Sequence, residues 1–144
     1  MIIRPALLTD YNALVELATP WMARYPLTPD FDRIRSVFRT LVSSSTHYAY
    51  VSQRGKHIEG ALLAVTNSNA WARKSNSSVL FWTGIAPGAG AWILRHYRDW
   101  VLGRPMIRVA GFAPDLNDID PRAWKLAERI GFEKHGGSYV LFQR

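Results

Sequence analysis

The stretch WTGIAPGAGAWILRHYRDWV, residues 82–101, carries three glycines and a proline from the end of an apolar run into a helical pattern. Ile93, Leu94, Tyr97, Trp100 and Val101 recur at the helical period and are the expected inner face. The first N–H groups of such a helix have no intrahelical acceptor, and the helix dipole adds positive potential there. A glycine turn in that place is a cradle for an anion such as a pyrophosphate. Gly88 and Gly90 are expected to let the backbone turn and approach a ligand without side-chain interference. A plain strand-to-helix corner uses the same residues with no ligand at all, and Pro87 removes one amide donor.

Upstream, SVLFWTG (78–84) reads as the strand that feeds this turn, preceded by a polar loop, TNSNAWARKSNS (66–77). Before it, HYAYVSQ (47–53) and IEGALLAV (58–65) read as a hairpin turning at Gly55. TPDFDRIRSVFRTLV (28–42) is a helix with Thr28 as N-cap, Pro29 as first residue and Phe31, Ile34, Val37, Phe38, Leu41 and Val42 along its apolar side. MIIRPAL (1–7) is a strand that Pro5 places at an edge. Thr9 and Asp10 then cap a helix carrying Leu14, Leu17, Ala18 and Trp21, its last turn disrupted by Pro20.

Downstream, Gly103 and Pro105 end the glycine-turn helix, MIRVAGFA (106–113) is a strand and PDLNDID (114–120) a loop. Asp120 and Pro121 open a helix that faces Ala123, Leu126, Ala127 and Ile130 inward and stops at Gly131. FEKHGGSYVLFQR (132–144) is a closing hairpin. The order is β-α-α-β-β-β-α-β-α-β-β, a mixed α/β class. We expect a single domain over residues 1–144, with a mostly antiparallel mixed sheet of six to seven strands and about four helices.

A chain of 144 residues with 48% apolar and 20% charged residues has an ordinary globular composition. No long apolar run marks a membrane span or signal segment, so a cytoplasmic protein with no membrane partner is expected. The absence of cysteine excludes disulfides, thiolate metal sites and a cysteine nucleophile. The net charge of +7 is spread evenly, +4 over residues 1–90 and +3 over 91–144. With no basic block, aromatic–basic motif or reading helix, nucleic acid is not the expected partner. His47, His57, His96 and His135 have no metal-ligand spacing; they read as surface or turn residues and no metal site is expected. No G-x-S-x-G elbow supports serine catalysis. Trp21, Trp82, Trp92, Trp100 and Trp124 sit at apolar positions and read as core, whereas Trp71, beside ARK in a polar loop, is expected to be exposed and open to a partner.

The element order resembles that of the GNAT superfamily of acyl-CoA-dependent N-acyltransferases over essentially the whole chain. MIIRPALLTD (1–10) is similar to the family's first strand, I-R-x-A followed by a Thr-Asp cap. GAGAWIL (88–94) is similar to the end of its acyl-CoA motif, Q/R-x-x-G-x-G/A before an apolar helix. DPRAWKLAERIGF (120–132) is similar to its late motif N-x-x-A-x-x-L-Y-x-x-x-G-F, matching at Ala123, Leu126, Gly131 and Phe132. The resemblance implies acetyl-CoA as co-substrate, with its pyrophosphate at Gly88, Ala89, Gly90 and Ala91 and its pantetheine arm along the preceding strand near Trp82 and Thr83. It implies direct acetyl transfer to an amine acceptor.

Two positions depart from the pattern. Ile85 stands where the family has Gln or Arg, and Ala127 where it has the tyrosine that protonates the departing thiolate. Tyr139 is the nearest candidate to replace that acid, with Ser138 beside it. Asp115 is the candidate base or amine-binding carboxylate, and Arg95 the candidate contact to a CoA phosphate. A different class of function also fits. HYRDWVL (96–102) and KLAERIGFEKHGG (125–137) are similar to the ending of short GNAT-like proteins of tailed phages. That likeness implies a catalytically degenerate interaction or assembly protein, associated with virion or host protein, in host cytoplasm or the virion.

Overall fold

The computed structural model describes residues 1–23, 27–69, 71, 73–85, 88–112 and 121–143, leaving out the side chain of Pro121. The chain forms β1 (Ile2–Pro5), a 3-10 turn (Leu8–Asp10), α1 (Tyr11–Met22), α2 (Phe31–Ser43), β2 (Tyr48–Arg54), β3 (His57–Ser68) and β4 (Ser75–Gly84). Then follow α3 (Ala89–Leu102), β5 (Ile107–Phe112), α4 (Pro121–Arg129), β6 (Glu133–His135) and β7 (Ser138–Phe142). Seven strands make one sheet in the order β1-β2-β3-β4-β5-β7-β6, antiparallel everywhere except between β4 and β5. Pro5 lies on the edge strand, where its missing N–H disturbs no central ladder.

Strand alternation builds a core on each face of the sheet. Tyr48 and Tyr50 point to the α3–α4 side, Ala49 and Val51 to the α1–α2 side, following the two-residue period. Ile93, Leu94, Tyr97, Trp100 and Val101, the expected inner face of α3, are all buried. Phe38 and Leu41 anchor α2, and Leu14 anchors α1. Among the described residues no helix is long and apolar enough to cross a membrane.

Four local expectations are corrected. The N-cap of α2 is Asp30, whose carboxylate accepts the Arg33 N–H at 3.1 Å; Thr28 and Pro29 precede the helix and Phe31 is exposed. Asp10 makes no side-chain cap to α1. Its carboxylate accepts from the two terminal guanidinium nitrogens of Arg4, at 2.8 and 3.0 Å, and from the Leu7 N–H at 2.7 Å. The α1 helix continues through Pro20 to Met22. The polar stretch 66–77 is largely strand: β3 runs to Ser68 and β4 begins at Ser75, leaving only a short tip between them.

Candidate functional site

The parallel ladder between β4 and β5 is short. It pairs Ser75 with Ile107, Asn76 with Val109, Ser77 with Ala110 and Ser78 with Gly111, and there it stops. Beyond it β4 continues to Gly84, paired only with β3, while Phe112 of β5 pairs with Tyr139 of β7. Among the described residues, the edge of β4 from Val79 to Gly84 that faces away from β3 has no strand partner. An extended ligand bearing amide groups can take the place of the missing strand. The register also slips at this point. Leu63 pairs with Phe81 and Ala64 with Val79, so Leu80 is bulged out and 47% exposed. Such a bulge re-aims backbone groups and side chains next to it.

At its end β4 hands the chain to α3. Gly88, the N-cap, has φ +82°, a left-handed conformation that glycine adopts without Cβ strain, and no side chain caps the helix. The first ring-closing bond runs from the Trp92 N–H to the Gly88 carbonyl at 2.9 Å. The N–H groups of Ala89, Gly90 and Ala91 thus have no intrahelical acceptor. A close backbone contact also forms at this corner. A Cβ on Gly84 would stand 2.2 Å from the Gly90 nitrogen and 2.7 Å from its Cα, so strand end and helix start touch backbone to backbone. A Cβ on Gly90 would point back at β4, 3.6 Å from both the Gly84 nitrogen and Trp82 Nε1. Trp82 fixes this corner, its indole N–H donating to the Gly90 carbonyl at 2.9 Å. Thr83 is half-buried opposite Ala61, and the Ala89 methyl is fully buried, so Ala89 has only its backbone to offer.

Beside Gly88 lies Trp92, 56% exposed rather than in the core, with the Arg95 guanidinium 5.7 Å from its ring centre. Ile85, at the start of the turn, is exposed. Ala86 and Pro87 lie outside the described residues.

An aromatic wall lines the α3–α4 side of the split. Trp82 meets Phe112 edge-on at 5.4 Å, Phe112 stacks on Tyr139 at 5.6 Å, and Tyr139 stacks on Trp124 of α4 at 5.3 Å. The Tyr139 ring is buried while its hydroxyl reaches Glu128. Burial first, then the charge and hydrogen bonding of Glu128, push its pKa up. A phenol so held gives up its proton less readily than a free one, and the stack gives Tyr139 a packing role. Ser138 is half-buried at the turn end of β7, opposite His135. Ala127 is fully buried within the same core. Asp115, with Asp118 and Asp120, lies outside the described residues.

The structure therefore brings Trp82, Thr83, Gly88, Ala89, Gly90 and Ala91 to one corner and joins Tyr139 to it through Phe112. Sequence reasoning missed Gly84, the Leu80 bulge and Phe112. Gly84 had a signal in being the last residue before the turn; the bulge had none, because SVLFW is apolar throughout. Two histidines are also less peripheral than expected. His47 Nδ1 accepts the Thr66 N–H at 3.0 Å, and His96 Nδ1 sits 2.9 Å from the Tyr48 hydroxyl, its pKa lowered by burial.

By sequence, no family model and no curated protein matches the chain. Solved structures match in fold. The GNAT-family acetyltransferase of Streptococcus pneumoniae superposes with TM-score 0.72 at 14% identity, over 96% of this chain and 95% of that one. The ribosomal-protein-alanine N-acetyltransferase of Brucella melitensis gives TM-score 0.73 at 13% identity, over 99% and 100%. A variant of the spermidine N-acetyltransferase of Vibrio cholerae gives 0.66 at 14%, over 99% and 95%. The chain has the fold of the GNAT acetyltransferases, with the seven-stranded mixed sheet and four helices described above.

Proposed function

We propose that this chain is an N-acetyltransferase that passes an acetyl group from acetyl-CoA directly to an amine. The observation that carries the reading is the split itself: a β4 edge, bulged at Leu80, with no strand partner among the described residues, and beyond it a helix start at Gly88 with no side-chain cap. The edge offers hydrogen bonds to a pantetheine arm, and the N–H groups of Ala89, Gly90 and Ala91 offer them to a pyrophosphate. Arg95, beside the Trp92 ring next to Gly88, supplies a cation near this corner.

In the reaction a neutral amine attacks the thioester carbonyl, the C–N bond forms and the C–S bond breaks. One proton leaves the amine and one is taken up by the sulfur. Amides of β4 around the bulge would polarise the carbonyl as charge develops on its oxygen. Asp115, shortly after β5, is our candidate to bind the amine or take its proton. With Ala127 in place of a tyrosine, the sulfur would take its proton from water. Tyr139 would shape the wall rather than act as the acid, and holding both reactants in the split supplies most of the acceleration.

The test is calorimetric titration with acetyl-CoA, followed by a mass-tagged acetyl-transfer assay over small amines, peptide N-termini and protein lysines. Micromolar binding and transfer above the protein-free control are expected. No binding at millimolar acetyl-CoA would overturn the reading. Binding without transfer across the panel would favour the GNAT fold kept as an interaction or assembly module.

A further inference from the structure

The other end of β4 carries a different chemistry. The tip of the β3–β4 hairpin holds Trp71 with 96% of its surface exposed. An indole of this size removes roughly 150–250 Å² from water when packed, and here that gain is forgone. The tip is nonetheless pinned. The Trp71 N–H donates to Asn69 Oδ1 at 2.7 Å, the Asn69 N–H to the Lys74 carbonyl at 2.8 Å, and Asn69 Nδ2 to Asn76 Oδ1 at 3.1 Å. The ring is thus presented to solvent from a backbone tied to Asn69.

Cations stand in the same segment and in the one hydrogen-bonded to it. Arg73 and Lys74 follow in the tip, and the Ser75 N–H, donating to the Met106 carbonyl at 2.7 Å, ties the start of β4 to the α3–β5 turn, which carries Arg104, and to the start of β5, which carries Arg108. Arg104 lies over the Trp100 ring at 4.0 Å and donates to the Trp100 carbonyl; Arg108 donates to the Gln143 carbonyl at 3.0 Å. Segments 67–76 and 102–108 contain no Asp or Glu. Asp99, one turn back on α3, is paired with Arg98. The even charge of the whole sequence hides this pole, because it is assembled from two segments about thirty residues apart.

We propose that this pole binds single-stranded nucleic acid, with a base stacked on Trp71 and the backbone phosphates tracked by Arg73, Lys74, Arg104 and Arg108. A single strand offers both a flat ring for the open indole face and a line of negative charge for the cations. A membrane surface fits less well, since the tip surrounds its one indole with Asn67, Ser68, Asn69, Ser75 and Asn76, groups that hydrogen-bond rather than insert. The inference does not rest on acetyl transfer.

The test is fluorescence anisotropy of a labelled 20-nucleotide oligo(U) with the full chain at 50 and 200 mM KCl. Four neutralised phosphates would weaken binding about fifty-fold between the two salts. Trp71→Ala is expected to weaken binding roughly five- to hundredfold, the range for one lost base stack, with Trp71→Phe recovering much of it. Both variants are expected to fold normally because the side chain is 96% exposed. Three results would overturn the proposal: no binding at 50 mM, equal affinity of Trp71→Ala and wild type, or displacement of the oligonucleotide as readily by polyglutamate or a duplex of equal charge as by unlabelled oligo(U). The last would indicate a general polyanion or acidic-protein surface.

Discussion

Gly84 and Gly90 face each other across the corner, and the geometry predicts opposite outcomes for the same substitution. A methyl on Gly84 meets the Gly90 nitrogen at 2.2 Å, its Cα at 2.7 Å and the Ala89 carbonyl carbon at 3.0 Å. All three are backbone atoms and none can rotate away, so strand and helix must separate. Overpacking of this kind costs about 1–3 kcal/mol, which lowers Tm by roughly 3–10 °C in a chain of this size. A methyl on Gly90 finds its nearest atoms at 3.6 Å, an ordinary contact, and replaces glycine by alanine inside a helix. That change is worth up to about 1 kcal/mol, less in a first turn, so Tm should hold or rise by about 1–3 °C. Urea unfolding followed by tryptophan fluorescence measures both. Gly84→Ala should also weaken acetyl-CoA binding by moving the helix start away from β4. A Gly84→Ala protein as stable as wild type, or a Gly90→Ala protein destabilised as much as Gly84→Ala, would refute the close packing at this corner.

Three other predictions follow from neighbouring features. The Asp10 carboxyl is held below the usual carboxylate range, chiefly by its hydrogen bonds from Arg4 and also by the Leu7 N–H, against the opposing effect of burial. The pair's stability is therefore complete above the unfolded value near pH 4 and is lost as pH falls through the folded value. Asp10→Asn should lower stability by about 1–3 kcal/mol at pH 7, and urea midpoints should show the gap to wild type closing below about pH 4; a gap independent of pH would contradict this. Ala127→Tyr, which restores the GNAT tyrosine, should cost about 1–3 kcal/mol or more because the site is fully buried. A variant of unchanged Tm with faster transfer would show that space for the ring exists. Tyr139→Phe keeps the stack on Phe112 and Trp124 and removes only the hydroxyl at Glu128, so the transfer rate should stay within about twofold. A loss of 10²-fold or more, the scale of a missing general acid, would return Tyr139 to the chemistry.

What was legible in the sequence is what a strong period records. Helix α3 shows all five expected inward residues buried, because an amphipathic helix on a sheet has one apolar side and little freedom in its rotation. The element order was legible for the same reason. The polar strand ends were not: Thr66–Ser68 and Ser75–Ser77 carry no apolar alternation, and they are held instead by ladder pairing between β3, β4 and β5 and by the buried Ser77–Tyr97 hydroxyl bond at 2.6 Å. Asp10 was read as a cap because Thr-Asp before a helix is a local signal, whereas its partner Arg4 is brought to it by the fold of the edge strand. The glycines of the turn were found, but which one needs to be glycine depends on the helix docking against β4. The Trp71 indole was expected to be exposed, and it is; that the start of β4 is joined to the turn carrying Arg104 is a tertiary fact.

On the proposed function, acetyl-CoA occupies the β4 edge and the start of α3. Amide chemical-shift mapping of isotopically labelled protein during titration with acetyl-CoA tests it residue by residue. Saturable shifts are expected at Ala89, Gly90 and Ala91 and along Val79–Gly84, with the Trp71 amide at the far tip of the hairpin unmoved. Shifts absent at millimolar ligand, or confined to residues away from this corner, would contradict it.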